Sequence, residues 1–324
     1  MRLNATAFAV VAGLLLAATA FAQGTGRSLD IQPGGRENGM GGAGVALGDE
    51  PTGMTWWNPA ALGFAKSPAV QLTSAKLVPG LADDVAYNQI GYVHPMEGWG
   101  GLAVSLAFLS YGTSMQVSEQ GQELGTFDSY EASSGISYGT QLLPDFAIGA
   151  SIKYIHIQLA PSNLQGVASA FGFDLGALYR LEPARLRFGA NIQNLGPSVV
   201  FINEDQASPL SRNVKVGAAW DVLPPGPFGI TLASDFNQSL VTSGFQVCNS
   251  GMEARYGSSS GASQEKIGVA GRVGWYSDPL GDIKGLTYGL GFTWSKLALD
   301  YGSIPQAKDS GLPNVNKISL GWRF

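Results

Sequence analysis

From about Ala69 to its last residue the chain alternates between apolar and polar positions, in segments of about 8 to 15 residues separated by clusters of Gly, Pro, Asn, Asp and Ser. A period of two marks a strand with one apolar and one polar face. In 185–194, Leu186, Phe188, Ala190 and Ile192 oppose Arg185, Arg187, Gly189, Asn191 and Gln193. In 213–221, Val214, Val216, Ala218 and Trp220 oppose Lys215, Gly217, Ala219 and Asp221. In 167–180, Ser169, Phe171, Phe173, Leu175, Ala177 and Tyr179 oppose Ala168, Ala170, Gly172, Asp174, Gly176 and Arg180, with Leu178 the one misfit. Segment 145–159 changes phase at Tyr154 and Ile155, which puts His156 near a strand end as a loop residue. With 69–77, 84–94, 99–111, 127–141, 227–237, 244–256, 265–276, 285–294, 296–303 and 315–324, the pattern predicts about fourteen strands. The long connections fall at 112–126, 195–211 and 303–314.

A soluble β-sandwich alternates as well, so the second face decides. Here it carries Gly, Ala, Ser and Asn mixed with charges of both signs, among them Lys153, Asp174, Arg187, Lys215, Asp235, Arg272 and Asp300. Charged residues make up 13% of the chain, against about a quarter in soluble domains, yet many sit on these faces. Small residues with balanced charges suit a polar lumen, and Leu, Ile, Val, Phe and Trp on the other face suit lipid. A sheet spanning lipid must close, because every backbone N–H and C=O needs a partner there. The expectation is an all-β protein, a closed antiparallel transmembrane β-barrel of about fourteen strands over 67–324. Aromatics such as Trp99, Tyr111, Trp220, Tyr276 and Trp322 lie near strand ends, where interfacial girdles belong.

The two ends of the chain sharpen this expectation. Arg2 is followed by an uncharged apolar run from Ala5 to Phe21 and the small-residue site Ala20-Phe21-Ala22, so residues 1–22 read as a secretory signal peptide. At the other end Ile318, Leu320, Trp322 and Phe324 share one face, opposite Lys317, Ser319, Gly321 and Arg323. An apolar strand finishing on a terminal Phe resembles the closing strand of bacterial outer-membrane barrels. The resemblance implies that Leu320, Trp322 and Phe324 form an assembly signal read by the barrel-assembly machinery, and that the protein resides in outer-membrane lipid.

A barrel of about fourteen strands is too wide to be filled by its own side chains. The segment 23–66 lacks alternation and is dense in small residues, so it reads as a hatch within the lumen. Its core is Gly39-Met40-Gly41-Gly42-Ala43-Gly44-Val45-Ala46-Leu47 followed by Trp56-Trp57-Asn58-Pro59-Ala60-Ala61-Leu62. Glycine backbone packs closely and accepts positive φ, and the Asn-Pro step ends any helix at Asn58. A helical turn is expected around 43–48 and an aromatic-anchored turn at 56–59.

These two motifs, with Gly41, Gly42, Gly44, Trp56, Trp57, Asn58, Pro59 and Ala60 as their marked positions, resemble the mature N-terminus of the long-chain fatty-acid transporter (FadL) superfamily. Within it the chain looks most like the PorV/PorQ family, which also carries elements like Asn194-Leu195-Gly196, Asp174-Leu175-Gly176 and Asp300-Tyr301-Gly302. The resemblance implies a hatch inside the barrel. It also implies partners, a secretion translocon or secreted cargo proteins, since PorV-type members take part in type IX secretion and surface attachment.

Candidate chemistry is sparse. Gly39-x-Gly41-x-x-Gly44 has the glycine spacing of a dinucleotide fingerprint, but no strand precedes it. Only His94 and His156 exist, and Cys248 has no companion thiol, so no metal site or cofactor is expected. Asp174 and Asp300 face charges of opposite sign and read as ion-pair members rather than catalytic acids, and no enzyme activity is expected. A formal net charge of −5 argues against nucleic acid. Two functions remain: a PorV-type, protein-binding component of type IX-like secretion, or a FadL-like channel for long-chain fatty acids or another hydrophobic ligand.

Overall fold

The computed structural model describes residues 24–118, 120–203, 205, 207–242, 246–257, 267–279 and 282–324. The signal-peptide segment 1–22 lies outside them. Fourteen strands follow one another: β1 (Ala69–Val78), β2 (Ala82–Met96), β3 (Gly100–Val117), β4 (Glu123–Leu143), β5 (Phe146–Gln158), β6 (Val167–Leu181), β7 (Leu186–Leu195), β8 (Asn213–Asp221), β9 (Phe228–Ser239), β10 (Gln246–Gly257), β11 (Ile267–Asp278), β12 (Ile283–Trp294), β13 (Leu297–Ile304) and β14 (Val315–Arg323). Each pairs antiparallel with its sequence neighbours, and β1 pairs with β14 to close the barrel. Closure leaves no unpaired sheet edge within the wall.

Exposure follows the alternation. Phe171, Phe173 and Leu175 are exposed on the outer face of β6, while Ala168, Ala170 and Asp174 are buried on the inner one. Ala69 and Phe324 mark one end of the barrel, called here the terminal end, and the turn 79–81 between β1 and β2 marks the far end.

Three expectations need correction. Segment 112–126 is not a loop, because β3 runs on to Val117 and β4 starts at Glu123. Leu178 is no misfit: it is fully buried on the inner face and packs on Met54, Ala60, Ala61 and Leu62. The phase change at Tyr154 is absent as well. Ile155 and Ile157 point inward into an apolar cluster with Leu29, Val199 and Leu210, and His156 lies in the strand on the outer side, 3.0 Å from Ser169 Oγ. In the last two cases an inward residue is apolar because it meets the hatch or a loop rather than water. Of the aromatics, Tyr111 and Tyr276 line the far mouth rather than an outer girdle.

Candidate functional site

The lumen is occupied by residues 24–66. Every residue from Pro33 to Gly48 and from Pro51 to Leu62 is buried, although the segment holds only short helical pieces. Its one α-helical piece, α1 (Gly35–Gly39), precedes the expected position, and 45–47 form only a turn. A second helical stretch ends at Trp57, and Asn58 turns extended before a 3-10 turn over Pro59–Phe64.

The chain traverses the lumen from end to end. Thr25 bridges to Leu210 in the far-end connection between β7 and β8, with Thr25 N donating to Pro209 O at 2.7 Å. From there the chain passes α1, which rests on β12, β13 and β14, and leaves past Phe64 at the terminal end.

Glycines on both partners permit this docking. Gly101, Gly139, Gly149 and Gly176 form one row across β3 to β6, as their pairings define. A Cβ on any of them would overlap Leu62, Pro59 or Asn58. On the opposite wall Gly251 and Gly274 are paired, and a Cβ there would overlap Met40 or Gly41. In the hatch, Gly41 has φ 75° and Gly42 φ 77°, a region that side-chain-bearing residues rarely enter. Gly44 is backed by the Trp57 ring, which leaves no room for a side chain.

Polar groups finish the socket. Asp235 accepts from Gly44 N at 2.7 Å and Val45 N at 2.9 Å. Thr287 Oγ1 accepts from Gly41 N at 2.9 Å. Trp56 and Trp57 pack edge to face, donate to Leu29 O and Pro33 O, and lie beneath Lys215 Nζ at 4.1 and 4.9 Å from their ring centroids. Asn58 donates from Nδ2 to Val45 O and Ala177 O and accepts from Ala60 N, so one side chain ties two hatch segments to β6. Asn191 and Gln193 donate to Trp57 O at 2.8 Å and Trp56 O at 2.6 Å.

The marked luminal charges all lie inside, but they do not converge on one centre. Asp174 lies 2.6 Å from Lys153, and Arg187 reaches Asp221 at 3.2 Å and Leu47 O at 3.0 Å. Arg272 joins Asp300 and Glu253, each at 2.7 Å, and Arg36 of α1 grips Glu253 with two bonds of 2.8 and 2.9 Å. Glu50 and Glu37 lie in the same buried region. Burial and the Asp300 charge push Glu50 up to about 7, and burial and Glu50 push Glu37 upward. Arg36, Asn191, Gln193 and Glu253 were not among the marked site residues. The available signal was Arg36 itself, one of the few charges in a glycine-rich stretch. Leu320 and Trp322 are exposed on the outer face of β14 and Phe324 is exposed just past its end, with the Phe324 amide bonded to Pro68 O at 2.9 Å. Among the described residues no group of His, Cys, Asp and Glu is arranged to hold a metal ion.

A cavity opens at each end of the hatch. A pocket of ≈ 330 Å³ at the far mouth is lined by Leu77, Leu109, Tyr111, Ile304, Arg27 and Lys317, among others. A polar recess of ≈ 320 Å³ at the terminal end includes Arg36, Glu50 and Arg272.

The barrel is similar in structure to the toluene transporter TodX of Pseudomonas putida, with a TM-score of 0.53 and 13% identity over 94% of this chain and 98% of that one. A Pseudomonas aeruginosa FadL homologue aligns over 94% of this chain and 100% of its own, at 11% identity and a TM-score of 0.48. At such identities the likeness to TodX speaks for the fold alone. Among curated proteins, none matches the sequence. The family model described as type IX secretion system protein PorV matches residues 21–246. Covering more than half of a chain folded as a closed β-barrel with an apolar outer face, that match identifies the protein as a member of the PorV family of outer-membrane barrels.

Proposed function

We propose that the protein is a protein-binding component of type IX-like secretion and surface attachment, with the far end of the barrel outside the cell. The observation that carries this reading is the β3–β4 hairpin. β2 pairs with β3 only as far as Tyr111, and β5 pairs with β4 only from Tyr130, so 112–117 and 123–129 pair with each other alone. Six residues of strand extend about 20 Å. Beyond the base, where Gln158 Nε2 donates to Asp128 O, neither edge of the hairpin has a strand partner, and both can accept one. Met115, Val117 and Leu124 on it are more than half exposed, an apolar surface beyond the rim that suits a protein partner. The filled lumen agrees with binding rather than free flux. The test is copurification from outer membranes of a tagged chain lacking 113–127. Loss of proteins that accompany the intact chain supports the reading, and an unchanged set of companions refutes it.

One observation favours a channel for hydrophobic solutes instead. The far-mouth pocket sets Leu77, Leu109 and Ile304 beside polar groups that include Arg27, Asp30, Asp278 and Lys317; Arg27 is held by Asp30 at 3.1 Å, which leaves Lys317 to meet the head of a long-chain acid. Under that reading Ile304→Arg abolishes uptake of such acids by cells. Under the protein-binding reading it leaves the copurifying proteins in place.

A further inference from the structure

The β3–β4 hairpin is charged on one strand only. Between Gly112 and Val117, β3 has no charged residue, whereas the facing part of β4 carries Glu123 and Asp128. The pairs Val117↔Glu123, Met115↔Thr126 and Thr113↔Asp128 set these two acids on one face, with Thr126 between them. Both acids are exposed, and neither forms an ion pair among the described residues. Residues 112–131 hold no Lys or Arg, and the connection 159–166 beside β4 holds no charged residue. At this end of the barrel Lys76 of β1 is held by Asp83 at 3.4 Å, and Arg27 of the hatch by Asp30 at 3.1 Å.

The main chain points to the same strand. β5 stops at Gln158, opposite Tyr130, where Gln158 Nε2 donates to Asp128 O at 3.2 Å and Ser129 Oγ to Leu159 O at 3.0 Å. Past that contact, 123–127 have no strand beside them on the β5 side among the described residues, so main-chain groups turned away from β3 lack a ladder partner. Leu159 and Leu164 are exposed at the foot of this gap, and Leu124 is exposed on the edge itself. A strand laid here continues the line of β5 and gains both ladder bonds and apolar cover.

Charge selects the occupant. A second copy of this chain would bring the same acids against Glu123 and Asp128, and like charges on facing strands repel. A segment that carries cations gains cross-strand pairs instead. Because Glu123 and Asp128 face Val117 and Thr113, they stand as far apart as residues four positions apart on an extended chain.

We infer that the β4 edge over 123–127 is a docking site for an extended polypeptide segment that adds as a strand and carries two lysines or arginines, about four residues apart, against Glu123 and Asp128. The inference rests on the protein-binding reading and names the chemistry of the partner.

Peptide binding tests it on the purified, full-length barrel with Cys248→Ser in lipid nanodiscs. The probe is a fluorescent peptide of about twelve residues, alternating Thr and Val, with Lys replacing two Thr four positions apart. It should bind at least about tenfold more tightly than the same peptide with Glu at those positions, and Glu123→Gln combined with Asp128→Asn should remove most of that difference. A Lys peptide with Pro midway keeps the charge but interrupts the ladder, and should bind at least about tenfold more weakly. A cysteine midway between the two Lys should form a disulfide with Thr126→Cys and not with Met115→Cys, because adjacent strands lie about 5 Å apart and next-but-one strands about 10 Å, beyond disulfide reach. Equal binding of the Lys and Glu peptides, undiminished binding of the Pro peptide, or coupling at Met115→Cys rather than Thr126→Cys would overturn the inference. Copurification separates it from the reading on which it rests: companions that leave when 113–127 are deleted but stay with Glu123→Gln/Asp128→Asn overturn the basic partner and leave the protein-binding role standing.

Discussion

Asn58 Nδ2 stands 2.9 Å from the main-chain oxygen of Ala177, the bond by which the hatch motif holds the wall at the point where the 3-10 turn begins. The same nitrogen reaches Val45 O, and Oδ1 caps Ala60 N. Asn58→Ala strands these buried groups. Allowing about 1 kcal/mol for each bond and more for desolvated groups left alone, hatch docking should weaken by about 2–4 kcal/mol. Limited proteolysis of folded protein checks this, with cleavage within 24–66 expected at protease levels that leave the native hatch intact. Asn58→Asp should be worse, because it removes both donors and buries a charge.

The strand pattern was legible in the sequence because luminal polarity and lipid contact impose opposite demands on successive residues. What the pattern could not reveal is where neighbouring strands stop, which is why 112–117 and 123–126 read as loop. Nor could it separate an inward residue facing water from one facing the hatch. Leu178, Ile155 and Ile157 break polarity for that reason, and the rows of wall glycines become meaningful only when Pro59 and Met40 are seen against them. The glycines and tryptophans of the hatch were visible as motifs, while Arg36 and Glu253, 217 positions apart, were brought together only by the fold.

Gly139 offers a direct test of this fit. A methyl at this position overlaps the Pro59 oxygen, and both are backbone-constrained. Gly139→Ala should displace the turn Pro59–Phe64 and cost about 1–3 kcal/mol, the range for overpacking. The barrel itself should still migrate as a folded species on unboiled gels, while 24–66 becomes protease-sensitive. A protected hatch in this variant would contradict the close approach.

Hatch docking should also depend on pH. Glu50 is held at about 7 in the fold by burial and by Asp300, against an ordinary carboxyl value near 4.3. The folded state therefore binds its proton more tightly than the unfolded state. The contribution of this group is fully present below about 4.3 and is lost as pH rises through about 7. Protease resistance of 24–66 should accordingly fall between pH 5 and pH 8, an interval chosen to bracket that titration. Glu50→Gln, which keeps a neutral side chain beside Gln71, should flatten the dependence, and an unaltered pH profile in that variant would exclude Glu50 as its source.

Phe188 lies on the outer face of β7 and is 46% exposed. Phe188→Arg should cost about 2–4 kcal/mol if it falls at the bilayer midplane. Leu81 is 74% exposed in the far-end turn, and Leu81→Arg should fall within about 0.5 kcal/mol of the parent. Denaturant unfolding in lipid vesicles measures both, and similar losses would place Phe188 outside the hydrocarbon layer.

Phe324 tests the reading of the last strand as an assembly signal separately from its part in the fold. Its amide bonds Pro68 O, its ring meets Tyr92 edge to face at 6.4 Å between centroids, and the residue is 60% exposed, so the side chain contributes modestly to the finished barrel. The ladder between β1 and β14 runs from Ala69↔Arg323 to Ala75↔Lys317 and does not need the terminal ring. Removing Phe324 should thus lower the purified, refolded barrel's stability by no more than about 1 kcal/mol, the scale of an aromatic pair. If the assembly machinery reads Phe324, the same deletion should deplete the protein from outer membranes several-fold and leave unfolded chain in the periplasm. Equal depletion in cells and loss of stability in refolded protein would assign the residue to folding alone, and normal membrane levels would remove it from the assembly signal.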